Sequence, residues 1–199
     1  MGGFGGGAAA GGLAALLLGS KFGRKSLGKV AGYGGAAALG AIAYRAWRNW
    51  EAGKGGEPAI GGALPPPPEG SQFRPEAAPA KDGRPFELAL VLAMVAAAGA
   101  DGHIDSEERS RIFEKAGALP LDADDKAFLF DALAKPPSLG ELAGMASGPE
   151  QAAELWLAAR LAIDPDRAGE RAWLDGLAAR LRLDPALAER LEAEAAALG

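Results

Sequence analysis

The chain has 199 residues, with 30 Gly, 14 Pro, a single His and no Cys, and this length allows one domain with extensions or two small domains. The absence of Cys excludes disulfides, thiol nucleophiles and zinc–thiolate sites, and one His excludes a multi-histidine metal site. Residues 1–85 carry 10 Lys and Arg against 5 Asp and Glu, whereas residues 86–199 carry 11 against 21. The basic half suits anionic lipid headgroups, and the acidic half argues against nucleic-acid binding.

Residues 1–50 form a Gly- and Ala-rich segment that we predict to associate with membrane lipid. Residues 30–44 contain no charge and follow a basic stretch. A membrane-crossing helix needs about 17 to 25 apolar residues, so we place a helix at about 30–48, in which Arg45 would reach the interface. Aromatic residues of the kind enriched at lipid–water interfaces end this helix. They are Tyr44, Trp47 and Trp50.

Small residues recur every four positions in the same segment, at Gly28, Gly32, Ala36 and Gly40. Such small-xxx-small spacing lets helices approach closely in lipid, and it indicates self-association through this face. Glycine is a poor helix former in water, so a disordered glycine-rich tail is the alternative interpretation. We favour the membrane helix because lipid offers backbone groups no partner outside the helix itself.

Residues 51–85 are predicted to be a flexible, disordered linker. The four consecutive prolines at 65–68 favour extended polyproline II structure, and the surrounding Pro and Gly residues interrupt regular structure. A ligand for a proline-recognition domain is one interpretation. A spacer between the membrane and a folded domain is the simpler one.

Residues 86–199 are predicted to form an all-α domain, a compact bundle of about seven helices, because no stretch alternates as a strand would. The apolar run at 88–100 is too short to span a bilayer and marks a buried helix. Capping residues or a first-turn proline predict the starts of six further helices. These starts lie at Asp105, Asp122, Ser138, Pro149, Asp164 and Asp184.

An acidic stretch directly after the first of these helices resembles half of a calcium-binding loop. Asp101, Gly102 and Glu108 match positions 5, 6 and 12 of the EF-hand pattern. Positions 1 and 3 of that pattern would fall on Ala97 and Gly99, which offer no side-chain oxygen. Because two of the expected ligands are missing, the stretch is not predicted to be an ordinary EF-hand.

A second acidic stretch follows the helix that begins at Pro149, so the domain looks like two degenerate helix–turn–helix repeats. If the repeats pack about a pseudo-twofold axis, their carboxylates could approach one another and hold a divalent cation. Asp105 and Asp164 are also explained as helix N-caps, each worth about 1 kcal/mol. The candidate metal ligands are Asp101, Asp105, Glu108, Asp164, Asp166 and Glu170.

Residues 98–108 resemble the signature of the TerB-like (tellurite-resistance) helical domain. The similarity to the YebE-type uncharacterised bacterial inner-membrane proteins extends through residues 159–166, 170–174 and 177–181. The resemblance implies a seven-helix TerB-like fold that is tethered to a bacterial inner membrane. We expect the helical domain on the cytoplasmic side, although basic residues flank the apolar run on both sides, so the positive-inside rule does not fix the orientation. It also implies a setting in envelope or metal-oxyanion stress, with metal binding suspected and no established activity.

Catalysis by Asp101 and Glu108 as a carboxylate pair would need a cleft and a raised pKa, neither of which the sequence shows. We therefore expect a non-enzymatic domain that binds an unknown protein partner or a divalent cation through its acidic turns. No other cofactor is expected. The alternative is a metal-assisted hydrolase that uses Asp101, Glu108 and Glu170.

Overall fold

Helices are the regular secondary structure of the part of the chain that the computed structural model describes, and no strand occurs there. This part comprises residues 35–53, 64, 66–74, 78–100, 122–163 and 167–197. The all-α class is therefore confirmed, and six of the seven described helices lie in the predicted domain. The helix predicted to begin at Asp105 lies outside the described residues. In chain order the helices are α1 (Gly35–Ala52), α2 (Phe86–Ala98), α3 (Ala123–Ala134), α4 (Leu139–Met145), α5 (Pro149–Ala162), α6 (Ala168–Leu181) and α7 (Pro185–Ala196).

Helix α5 lies at the centre of the bundle, in contact with α1, α2, α6 and α7. Every residue from 151 to 161 is buried. Helix α2 packs along α5 more extensively than any other described pair of helices. It is buried along most of its length because it is apolar on all sides, as the sequence predicts. The core is therefore built around these two neighbouring helices.

Capping residues fix the starts of three helices as predicted. The side chain of Asp122 accepts a hydrogen bond of 2.8 Å from the backbone N–H of Asp125 at the start of α3. Ser138 and Glu141 form a complete capping box at α4, and hydrogen bonds from the Ser138 side chain and backbone lower the pKa of Glu141. Asp184 caps α7 through two backbone N–H groups. Such caps stabilise a helix by about 1 kcal/mol each.

The start predicted for α6 at Asp164 is wrong. The helix begins at Ala168, and Arg167 occupies the N-cap position without a side-chain capping bond. An acidic residue, Glu170, lies in the first turn. In the first turn, a carboxylate interacts favourably with the positive end of the helix dipole. The acidic residue at the start of α6 is therefore Glu170, whereas the sequence predicted Asp164.

Helix α1, predicted as a membrane-associating helix at about 30–48, packs against α5 and α7. Leu39, Ile42 and Ala43 on its inner side are at most 1% exposed. Of the helices in the described residues, none combines the length and the apolar character needed to cross a bilayer. The apolar side of α1 is therefore covered by protein, and the domain core extends to residues before Phe86.

The small residues of α1 serve a close contact within the chain. A Cβ atom on Gly40 would lie 2.0 Å from the carbonyl oxygen of Phe73, a distance that no side chain tolerates. Ala36 is 4% exposed on the same side of the helix. Packing within the molecule therefore accounts for the described half of the small-xxx-small pattern, and Gly28 and Gly32 lie outside the described residues.

Two of the aromatic residues predicted as an interfacial anchor, Tyr44 and Trp47, contact Phe73, which belongs to the predicted linker. The ring centroid of Phe73 lies 5.7 Å from that of Tyr44 and 5.6 Å from that of Trp47. Trp47 in turn meets Trp50 edge-on at 5.1 Å. Such pairs contribute about 0.5–1.5 kcal/mol beyond burial of their area. These rings fasten residues 66–74 to α1.

A second part of the predicted linker, residues 78–85, also contacts the bundle, and we call it the strap. The side-chain amide of Gln151 donates to the carbonyls of Ala78 at 3.3 Å and Pro79 at 3.2 Å. The backbone N–H of Lys81 donates to the carbonyl of Met145 at 2.8 Å. In the described residues, the expected flexible linker thus contains two docked stretches.

Candidate functional site

The docked strap defines the relative direction of α2 and α5. Gln151 in the first turn of α5 holds Ala78 and Pro79, and the backbone bond from Ala80 to Arg84 folds the chain back on itself just before α2 begins. Both helices therefore begin at the same end of the bundle. They contain 13 and 14 residues and rise about 1.5 Å per residue, so they also end near one another. We call this second end, where the chain leaves α2 and α5, the acidic end.

Glu170 is the candidate metal ligand that the structure describes. It lies in the first turn of α6, directly after the chain has left α5, and is 7% exposed. The guanidinium of Arg167 donates from Nη1 to its Oε1 at 3.3 Å, and the Arg167 side chain is 60% exposed. Glu170 is thus a nearly buried carboxylate that contacts Arg167, three residues before it in the chain.

The other five candidate ligands lie outside the described residues. They are Asp101, Asp105, Glu108, Asp164 and Asp166. Within the described ranges, no group of three or more His, Asp or Glu side chains lies close enough to hold a metal ion. The shared metal site of the two acidic stretches therefore stays a prediction. What the structure adds is that α2 and α5, which precede the two stretches in the chain, end at the same end of the helix pair.

Polar residues that sequence patterns did not single out lie on the central helix. Arg160 is 2% exposed and makes a two-bond ion pair with Glu192 of α7, at 2.7 and 2.8 Å. Glu154 is fully buried beside the contact of α1 with α5, where a Cβ on Gly40 would lie 3.4 Å from its Oε2. No local signal marks these roles, because a polar residue in a helix normally indicates a solvated position.

A buried ion pair joins α1 to α7. Arg45 and Glu194 form two hydrogen bonds, one of them 2.9 Å long between Nε and Oε1, and their side chains are 11% and 2% exposed. Further along the same contact, the indole N–H of Trp50 donates to Asp184 at 3.2 Å. These bonds show that α1 and α7 run antiparallel. The sequence prediction assigned Arg45 and Trp50 to a lipid interface, and the structure gives both of them protein partners.

A shallow depression lies between the strap and the bundle, close to the start of α2. It is a surface depression with essentially no enclosed space, whereas typical ligand pockets have volumes of roughly 300–1,000 Å³. Arg84, which lines it, lies 3.7 Å from Asp125, and Asp125 is 9% exposed. Burial and the neighbouring Asp122 carboxylate raise the pKa of Asp125, whereas the Arg84 guanidinium acts in the opposite direction. The depression is too small for a substrate of ordinary size.

Comparison with known proteins identifies a family and no individual relative. The family described as "Protein of unknown function (DUF533)" matches residues 3–195. The match therefore includes the N-terminal segment, both docked stretches of the predicted linker and the helical bundle. Neither the comparison with curated proteins nor that with solved structures finds a match.

Proposed function

The chain belongs to the DUF533 family of proteins of unknown function, and we propose that it is a membrane-tethered, non-enzymatic helical domain whose acidic end binds a divalent cation. The observation that supports cation binding is the common direction of α2 and α5. Both helices end at the same end of the bundle, and we infer from this that the two acidic stretches that follow them lie close together. Glu170 adds a carboxylate that is nearly buried at that end.

The chemistry of the candidate ligands favours a hard cation. All six are carboxylates, and the chain has no Cys and a single His. Ca²⁺, Mg²⁺ and Mn²⁺ prefer oxygen ligands, whereas Zn²⁺ sites are commonly built from Cys and His. We therefore expect calcium, magnesium or manganese to bind more tightly than zinc.

Calorimetric titration of the metal-free full chain with each of these four cations tests the proposal. We expect binding at micromolar concentrations that is lost in Asp101→Ala and strongly weakened in Glu170→Gln. The matched control is Asp175→Asn, which removes a carboxylate that is 68% exposed on the same helix as Glu170. The control should bind as the wild type does.

Absence of binding with all four cations would contradict the cation site and the metal-assisted hydrolase together. Recognition of a protein partner through the acidic end would then be the remaining function for these residues. Binding that Asp175→Asn weakens as much as Glu170→Gln would also contradict the proposal, because it would show a diffuse surface effect.

We place the membrane tether in the residues before α1, because the apolar side of α1 packs on α5 and α7. The resemblance to the YebE-type and TerB-like proteins is the basis for an inner-membrane location, a cytoplasmic domain and a setting in envelope or metal-oxyanion stress. Fractionation of the full chain beside a variant that begins at Gly35, which keeps α1 intact, tests the tether. Recovery of both chains in the soluble fraction after a carbonate wash would contradict it.

A further inference from the structure

We propose that the strap (residues 78–85) is a latch that opens from the bundle while the helices stay folded, with Arg84 as its closing residue. The strap connects the residues that dock on α1 to the start of α2. Its opening would therefore change how the N-terminal part of the chain is attached without disturbing the core. This device is separate from the proposed cation site, which lies at the other end of α2 and α5.

Few of the contacts of the strap are apolar. Ala80 is 4% exposed, whereas Pro79, Lys81, Asp82 and Pro85 are all exposed. The strap is also attached by hydrogen bonds to Gln151 and Met145 and by the contacts of Arg84 with α3. Segments with little buried apolar surface open at a lower free energy than the core does. The strap has the composition of such a segment.

The strap also holds its own shape. The backbone N–H of Ala80 donates to the carbonyl of Arg84, and the N–H of Gly83 donates to the carbonyl of Ala80, both at 2.9 Å. Gly83 has a φ of +86°, which a glycine adopts without strain. Because these bonds lie within the strap, the contacts with the bundle can break without loss of the turn. The strap is therefore able to move as a unit.

Arg84 is the residue that joins the strap to α3. Its guanidinium carbon lies 3.8 Å from the centre of the Phe128 ring, and its Nε lies 3.7 Å from Asp125 Oδ1. Asp82 of the strap lies 4.0 Å from the same guanidinium. The strap thus brings an aspartate towards the acidic first turn of α3, and Arg84 stands between the two. Without Arg84, like charges would face each other and favour the open form.

Opening of the strap would expose apolar surface. The strap forms one wall of the shallow depression, and residues of α2, α3 and α4 form the others. Those residues are Leu88, Ala89, Leu92, Phe128 and Met145. The latch therefore controls access of water to these apolar residues near the start of α2.

Amide hydrogen exchange of the full chain, followed by NMR at neutral pH, tests the latch. The reporter is the N–H of Lys81, which donates to Met145. In the wild type it should exchange at least about 100-fold faster than the N–H of Ala158 in α5, and low urea should accelerate it much less than it accelerates Ala158, because opening of the strap exposes far less surface than global unfolding does. In Arg84→Ala it should exchange about tenfold faster again, in line with the loss of a cation–π contact and an ion pair. Ala158 should accelerate by no more than this factor, because the contacts are lost from the closed, folded state from which both openings start.

The matched control is Arg171→Ala, which removes an exposed arginine that lies 3.6 Å from Asp175 on α6. It should leave the exchange of Lys81 as in the wild type. Equal exchange of Lys81 and Ala158 in the wild type would overturn the proposal, because the strap would then open only on global unfolding. So would an Arg84→Ala variant in which Lys81 keeps its wild-type rate.

Discussion

Two arginines attach the N-terminal part of the chain to the helical bundle, and they do so in different surroundings. Arg45 is 11% exposed and makes two hydrogen bonds to Glu194, which is 2% exposed. Arg84 is 38% exposed, stacks on Phe128 and reaches Asp125 only at 3.7 Å. Water can replace the partners of Arg84 but not those of Arg45. The contact of Arg45 is therefore part of the core, whereas the contact of Arg84 can open.

The largest expected effect is at the buried pair. Glu194→Ala leaves the guanidinium of Arg45 without its carboxylate in a site with little water, and we expect a loss of about 3–5 kcal/mol in the free energy of unfolding. Urea denaturation followed by circular dichroism measures it. Glu189→Ala, at an exposed position of the same helix, should change stability by less than about 0.5 kcal/mol. Equal losses in the two variants would show that the pair is not part of the core.

The contact of α1 with residues 66–74 should be nearly as sensitive to added volume. Gly40→Ala places a methyl group 2.0 Å from the Phe73 carbonyl, so α1 or residues 66–74 must shift, at a cost of about 1–3 kcal/mol. Gly144→Ala adds the same methyl to α4, where no atom lies within 4 Å, and should stabilise by about 0.5–1 kcal/mol. Thermal unfolding distinguishes the two. A Gly40→Ala variant as stable as the wild type would mean that residues 66–74 are not docked on α1 in solution.

Loss of the contacts of Arg84 should lower the free energy of unfolding by a smaller amount. Arg84→Ala removes one cation–π contact and weak ion pairs, and we expect a loss of about 1 kcal/mol in the free energy of unfolding. Measured by the same urea denaturation, it should fall well below the loss in Glu194→Ala. A loss equal to that of Glu194→Ala would remove the distinction between the two attachments.

The smallest effect concerns the carboxylate beside Arg84. Burial and Asp122 raise the pKa of Asp125 in the folded state, so its ionised form is disfavoured by folding. Asp125→Asn should therefore be slightly more stable than the wild type at pH 7, by less than about 1 kcal/mol. The stability difference between Asp125→Asn and the wild type should shrink as the pH falls through the raised pKa of Asp125 towards about 4, the pKa of an unfolded aspartate. Melting temperatures between pH 7 and pH 4 measure the change, and a constant difference would contradict it.

Local features of the fold were predictable from the sequence. Asp122, Ser138 and Asp184 cap their own helices, and a cap depends only on residues within one turn. The all-round apolar character of α2 correctly indicated burial. Prediction from sequence works here because the cause and its effect lie within a few residues of each other.

Distant contacts were not predictable in the same way. Arg160 pairs with Glu192, 32 positions away, and Gln151 holds Ala78, 73 positions away. A buried polar residue of this kind looks in the sequence like a solvated one. Likewise, the apolar and small residues of α1 are suited equally to lipid and to a protein core, and only the position of Phe73 explains Gly40. Of the candidate site, the sequence supplied the carboxylates, and the structure supplied the common direction of α2 and α5.

Paramagnetic broadening by Mn²⁺ tests the proposed cation site most directly. Mn²⁺ is titrated into the metal-free full chain, and the amide signals of Gly99 and Ala100, after α2, are compared with those of Gly169 and Glu170 in α6. We predict that both sets broaden together at the same low Mn²⁺ concentration, and that neither broadens in Asp101→Ala. Broadening of one set alone, or of neither, would contradict a cation site shared by the two acidic stretches.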